Sequence, residues 1–355
     1  MKFGWRGALG IILSAGFLYF AFKGIEFDTV MAHVRQANIG LLALSAVAAT
    51  FIFPLRARRW RPILDPIAPN LPFGTLWRPT AIGMMINNVV PARAGELARA
   101  FALSRSTPAV PFPAAFASLA VDRLFDAVIV LLLMFGAMLD PAFPRGAQVF
   151  GRPMSSIAIG GVLFVVVVLG AMYAMVLFPA RVLGIYELIA RRIAPKLEAK
   201  GRVALVALTD GLSVLRTPGR FASVFGWTLV HWLLNAFAFW IAFKAVGITA
   251  PYSAALFLQG IIAIGVAAPQ APGFFGVFEL FGKEGLRLYG VSPDAAVTWA
   301  IGFHALSYIP ITVIGAYYFL RAGLSLDEIS SVESDATADG GAPPPASPPA
   351  SRPRA

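Results

Sequence analysis

The chain has 355 residues, of which 58% are hydrophobic and 13% charged, against roughly 45–50% and about 25% in ordinary soluble domains, so a soluble globular protein is excluded. The net charge is +11 and Cys is absent, which removes disulfides, Cys-held metals and thiol nucleophiles. The basic residues fall between apolar runs, the pattern of membrane-flanking loops, and no nucleic-acid partner is expected.

Taken in chain order, the first apolar run, 4–22, follows Lys2 and Arg6. It has the charge order of a secretory signal but ends Gly16-Phe-Leu-Tyr-Phe-Ala-Phe22, too bulky for cleavage, and reads as a retained span. Residues 39–55 form a second span, followed by the basic Arg56-Ala-Arg58-Arg59-Trp60-Arg61, read as a topology anchor attracted to anionic lipid. Only 14 uncharged residues, interrupted by Asn87, Asn88 and Pro91, separate Arg78 from Arg93, whereas a crossing helix needs about 20. Residues 79–105 are therefore expected to form a re-entrant hairpin.

Further spans are 114–139, 155–178, 221–246 and 295–320. Before the last of these, 252–289 enters as an apolar run, breaks at Pro269-Gln-Ala-Pro-Gly273 and continues through Glu279, Lys283, Glu284 and Arg287, which predicts a second hairpin. Residues 181–217 mix apolar and basic positions, as an amphipathic helix on the inner leaflet does. Residues 322–355, rich in Pro, Ala, Ser and acid, are expected to be a disordered tail outside a transmembrane domain of 1–321.

Charge bias orients this scheme. With six spans and two hairpins, the inner segments outside the hairpins hold sixteen basic and four acidic residues before the tail, and the outer segments hold four of each. Short cytoplasmic loops collect Lys and Arg, so both termini are expected in the cytoplasm. The predicted fold class is all-α, a polytopic transmembrane helical bundle of about six full spans with two opposed re-entrant hairpins. Opposed broken elements are the layout of inverted-repeat transporters; here the two segments share only a Pro, a Gly and a following Glu.

Three segments concentrate chemistry. Asn87 and Asn88, Pro91, Arg93, Gly95 and Glu96 place amides, a helix breaker, a cation and an acid at one hairpin tip, a site for phosphate or carboxylate; the alternative is an interfacial loop with Glu96 paired to Arg93 or Arg99. Asp122 and Asp126 share a helix face at i, i+4, with Arg123 in reach of Asp126; they form either a structural ion cluster or a substrate or proton site. Pro269, Gln270, Pro272, Gly273 and Glu279 read as a second gate, or as a kink with Glu279 in an ion pair. His231, Asn235 and His304 lie in spans and suit helix-to-helix hydrogen bonds better than a proton relay. No metal or cofactor set is present in the sequence, and there is no G-x-x-x-x-G-K-[ST] loop. Transport would be passive, ion-coupled or driven by a partner.

Asn88-Val-Val-Pro91-Ala-Arg93-Ala-Gly95-Glu96, Val121-Asp122-Arg123-Leu-Phe-Asp126 and Pro269-Gln-Ala-Pro272-Gly273-Phe-Phe-Gly276-Val-Phe-Glu279, in that order, resemble the flippase-like family that includes the membrane domain of lysylphosphatidylglycerol synthases. The resemblance extends to about Arg321. It implies a bacterial inner-membrane protein moving a lipid or lipid-linked headgroup between leaflets, alone, as a homo-oligomer or with biosynthetic partners. In the lysyl-transferring members a soluble synthase domain follows, whereas here only the tail does, so no enzyme activity is expected. The alternative is a transferase or scaffold of a glycolipid, polyprenyl-phosphate or hopanoid pathway. In the translocase reading Arg93 holds an anionic headgroup while Glu96, Asp122, Asp126 and Glu279 pair, gate or exchange protons.

Overall fold

The computed structural model describes residues 5–90, 94–144, 146, 148–149, 152–193, 198–267, 272–326 and 328. The helices among them, in chain order, are α1 (Trp5–Phe22), α2 (Phe27–Gln36), α3 (Ile39–Leu64), α4 (Phe73–Val89), α5 (Gly95–Ser106), α6 (Phe112–Ala137), α7 (Met154–Leu177), α8 (Pro179–Ile193), α9 (Glu198–Gly211), α10 (Pro218–Ala245), α11 (Tyr252–Gly265), α12 (Val277–Arg287) and α13 (Pro293–Arg321). One short antiparallel ladder joins Gln148–Val149 to Arg152–Pro153. The protein is an all-helical, multi-pass membrane bundle.

Each expected span coincides with a helix. Among the described residues α3, α10, α13 and residues 159–177 of α7 are long and apolar enough to cross a membrane. The apolar part of α1, Ile12–Phe22, is shorter, and α6 has the length but carries Asp122, Arg123 and Asp126. Local chemistry sets the starts: Asn38 caps α3 by accepting from the Leu41 amide at 3.0 Å, and Ser292 caps α13 ahead of Pro293 at its first position. α3 packs along α10 more extensively than any other helix pair, fastened where the Ser45 hydroxyl donates to the Ala238 carbonyl at 2.8 Å.

α4 and α5, of 17 and 12 residues, and α11 and α12, of 14 and 11, are each too short to span about 30 Å at 1.5 Å per residue. Their ends show the side to which each pair returns. Arg78 near the start of α4, Arg105 near the end of α5 and Arg321 at the end of α13 line one cleft of about 710 Å³. Pro251 before α11, Gly290 after α12 and Ser292 before α13 line another, of about 590 Å³. Each hairpin thus begins and ends at one end of α13, and the two occupy opposite ends. α4 and α5 approach through glycines: a Cβ at Gly83 would lie 2.6 Å from the Gly95 carbonyl oxygen and 2.8 Å from Arg99 Cβ.

Two expectations change. α3 does not stop at residue 55; apolar Ile63 and Leu64 are fully buried, so burial carries the helix through its basic turn. Residues 181–217 are not one amphipathic helix but α8, α9 and a 3₁₀ turn, Leu212–Arg216. The first two are clasped by Arg191–Glu198 and Arg202–Glu187 bridges, each 2.8 Å, and α9 packs on α6.

Substituting Gly83→Leu should destabilise the protein by about 1–3 kcal/mol through overpacking, read as a lowered thermal midpoint. Gly74→Leu, in the same helix but with open space around its Cβ position, should leave the midpoint nearly unchanged; equal losses would show that the hairpin is not closely packed at Gly83.

Candidate functional site

The two acids of α6, Asp122 and Asp126, are buried in a single cluster. Asp122 and Asp126 project from one face of α6, and Arg56 and Arg59, three residues apart, project from one face of α3 to meet them. Arg59 forks onto Asp126, with Nη1 at 2.5 Å from Oδ1 and Nη2 at 2.7 Å from Oδ2, the bidentate arrangement that makes guanidinium–carboxylate pairs strong. Arg59 Nε also lies 2.8 Å from Asp122 Oδ1, and Arg56 Nη2 lies 3.2 Å from Asp126 Oδ2. From α10 the Trp232 indole donates to Asp126 Oδ1 at 2.8 Å.

α5 closes the other side. Arg99 Nη1 approaches Asp122 Oδ2 at 3.5 Å, and its guanidinium stacks 4.0 Å above the Trp60 ring, whose own N–H donates to Ser118 of α6 at 2.8 Å. Glu96 pairs with Arg123 at the rim. Burial is graded: the side chains of Arg59 and Arg99 are 0% exposed, Glu96 20% and Arg123 42%. Among the described residues the cluster joins four guanidiniums to three carboxylates. Arg56 Nε and Arg99 Nε and Nη2 make no hydrogen bond among the described residues.

Several sequence expectations are corrected here. Arg56 and Arg59 are not a topology anchor in a loop, because α3 carries them into the bundle. Removing these two from the inner-side count leaves the charge bias intact. Arg123 is a secondary partner of Asp126, at 3.5 Å, and its main partner is Glu96. Among the described residues Glu96 is not paired with Arg99, and the alternative partner, Arg93, lies outside them.

The second hairpin builds a separate group. Glu279, in the first turn of α12, accepts the Gly276 amide on Oε2 at 2.7 Å and places Oε1 2.5 Å from His304 Nδ1. His304 Nε2 donates to the Gly273 carbonyl at 2.7 Å. Pro272 opens the 3₁₀ turn Pro272–Phe274. Gly273 and Gly276 have φ of 70° and 87°, which glycine adopts without steric cost.

Asn88 lies apart from the cluster: its side chain donates to Thr312 of α13 at 2.7 Å, and its carbonyl accepts from Tyr308 at 3.1 Å. The Gly95 amide donates to Asn87 at 2.9 Å. Pro91, Arg93 and Gln270 lie outside the described residues. His231 bonds the Ile52 carbonyl at 3.1 Å and Asn235 bonds Gln259 at 3.1 Å, the helix-to-helix role expected of them.

A family model, lysylphosphatidylglycerol synthase TM region, matches the chain over residues 7–315. The chain belongs to that family. Among relatives of this lysylphosphatidylglycerol synthase TM region member, the glycosyltransferase AglD of Haloferax volcanii is 26% identical over 92% of this chain and 56% of its own length. The chain therefore spans little more than half of that relative. A UPF0104 membrane protein of Methanothermobacter thermautotrophicus is 25% identical over 81% of this chain and 85% of its own. The glycosyltransferase name on a relative matched across nearly the whole chain overturns the expectation of no enzyme activity.

Asp126→Asn would leave Arg56 and Arg59 facing an amide, and breaking such a buried pair costs about 3–5 kcal/mol. Arg123→Met, at the rim, should cost about 1 kcal/mol or less. Denaturation of the two variants in the same detergent checks the order; equal losses would contradict the graded burial.

Proposed function

We propose that this protein holds a lipid or lipid-linked headgroup bearing phosphate or another anion and moves it between leaflets of the bacterial inner membrane. The observation that carries this reading is the cationic surplus of the α3–α5–α6 cluster among the described residues, where guanidinium N–H groups of Arg56 and Arg99 have no hydrogen-bond partner. Buried charges in a membrane protein mark functional paths when they face the protein interior, and planar guanidiniums suit phosphate. At the rim a headgroup phosphate would compete with Glu96 for Arg123, exchanging one anion for another without stranding the cation.

In this reading Arg93, with Pro91 and Gly95 beside it at the first hairpin's break, contacts the headgroup. Gln270, Pro272, Gly273 and Glu279 form the second gate, and Asn88 ties the first hairpin to α13. The arginine-lined cleft between α4, α5 and α13 gives an anion a cytoplasmic approach. Opposed hairpins anchored to one helix suit alternating access, with broken backbone lining the path. The membrane domain is 1–321, the tail is 322–355, and both termini are cytoplasmic.

A second reading is favoured by the AglD relative's name: the chain takes part in glycosyl transfer, with the same cluster holding the lipid phosphate of a sugar donor or acceptor.

Purified protein in vesicles should accelerate leaflet exchange of at least one labelled species among phospholipid, polyprenyl-phosphate-linked and hopanoid lipids. Arg56→Lys keeps the charge but loses the fork and should cut that exchange by about tenfold or more, a loss of about 1.4 kcal/mol of headgroup interaction, at unchanged thermal stability. Exchange by no species, with glycosyl transfer detected instead, would favour the second reading. Orientation is checked separately, since the chain has no Cys of its own: single cysteines at Arg105 and Lys200 should resist an impermeant thiol reagent outside intact cells, and labelling at Lys200 would reverse the topology.

A further inference from the structure

We propose that Glu279 and His304 form a one-proton site that latches the second hairpin to α13. The inference deepens the translocase reading by naming a proton as the coupling ion, while the proton site itself stands on the geometry alone.

The hydrogen bonds count the protons. The Gly273 carbonyl can only accept, so His304 Nε2, 2.7 Å away, carries hydrogen. Nδ1 faces Glu279 Oε1 at 2.5 Å, and the other carboxylate oxygen already accepts the Gly276 amide. A neutral imidazole protonated at Nε2 has only a lone pair at Nδ1, and a lone pair against an ionised carboxylate makes no bond. The contact therefore contains a further proton, either on Nδ1, giving imidazolium against carboxylate, or on Oε1, giving carboxylic acid against neutral imidazole. Both placements make the pair electrically neutral. That suits side chains 8% and 4% exposed with the Phe275 and Phe278 rings 4.5 and 4.9 Å from the imidazole. Losing the proton leaves one net negative charge in this apolar pocket and removes the bond between α12 and α13.

Titratable groups on the surrounding elements are engaged elsewhere. Lys283 of α12 donates to the Phe20 and Ala21 carbonyls of α1, and Glu284 pairs with Arg287. Tyr308 of α13 donates to Asn88 of α4, and Tyr252 of α11 donates to the Leu233 carbonyl. His231 of α10 bonds the Ile52 carbonyl, Lys244 sits over Trp240, and Arg56 and Arg59 of α3 face Asp126. At the ends of α13, Asp294 accepts the Glu26 amide, His33 of α2 lines the cleft there, and Arg78 of α4 lines the opposite cleft. No other charged side chain lies within ion-pair distance of Glu279 or His304 among the described residues. What the latch holds is the break itself, where Gly273, Phe274 and Gly276 all have positive φ, a conformation that a non-glycine residue such as Phe274 keeps only when its surroundings enforce it.

Glu279→Gln separates the proton from the bonds. A glutamine amide can donate to Nδ1 and accept from the Gly276 amide, so it rebuilds the latch without a labile proton. Hydrogen exchange of the 273–279 amides in lipid nanodiscs, corrected for intrinsic rates, reads latch opening. As pH rises, wild-type protection should fall, by about tenfold per pH unit wherever opening releases the one bound proton, while Glu279→Gln stays flat. Identical pH profiles would overturn the site. Ring-¹⁵N spectra of wild-type histidine need no variant: in the latched state an imidazolium, or a neutral ring with Nδ1 accepting from a protonated carboxyl, is expected, and a neutral ring beside an ionised carboxylate overturns it. A wild type that obeys the protection rule yet exchanges no lipid upholds the proton site and counts against the translocase reading alone.

Discussion

Charge in hydrocarbon must be neutralised locally, and α6 carries three ionised side chains within five residues. On insertion scales a single Asp or Arg at a helix centre costs about 2.5–3.5 kcal/mol, so α6 is stable in a bilayer only with its partners in place. That requirement accounts for the continuation of α3 past its proline-containing middle into the bundle. It also accounts for the return of α5 toward α6 and the Trp232 indole aimed from α10. Four helices converge because Asp122 and Asp126 together accept more donors than any one neighbour supplies. Among the described residues the cluster still closes with an excess of guanidinium over carboxylate, and the proposed anionic ligand rests on that excess.

α13 is the second organising element. The Asn88 end of α4 and the Gly273 break both attach to it within the stretch His304 to Thr312, so the two hairpins share one anchor although they belong to opposite ends of the bundle. Glycine permits the close passages: Gly315 of α13 lies against the Ala81 backbone of α4, and Gly276 lies against the Ser14 carbonyl of α1. Little side-chain bulk stands between these elements. The attachments of the breaks are instead a few polar bonds that other groups can replace.

Much of this was legible in the sequence, for physical reasons. The positions of the apolar helices, the short apolar stretch after Arg78, and the Pro-Gly break before Glu279 follow from what a bilayer demands of a helix. A helix or break stands at each of these places, although α3 runs on past residue 55. That Asp122 and Asp126 sit in an ion cluster was accessible because buried acids need cations. The identity of those cations was not: Arg56 and Arg59 look like loop residues when hydropathy alone ends the span at residue 55. The signal that finds them is the i, i+3 spacing followed by Trp60, Ile63 and Leu64, an apolar face that only a buried helix would keep. The pairing of His304 with Glu279 is tertiary, across 25 residues, and no local pattern encodes it.

The central claim, that the α3–α5–α6 cluster receives an anionic headgroup, is tested most directly by photocrosslinking in vesicles. The probe is a phosphate lipid carrying a diazirine in its headgroup, and labelled peptides are mapped by mass spectrometry. The account predicts adducts on the segments bearing Arg56, Glu96 and Arg123, competed by unlabelled lipid of the same headgroup. Adducts confined to the lipid-facing surface of α7, where Val166 and Val167 are exposed, with none on those three segments, would contradict it.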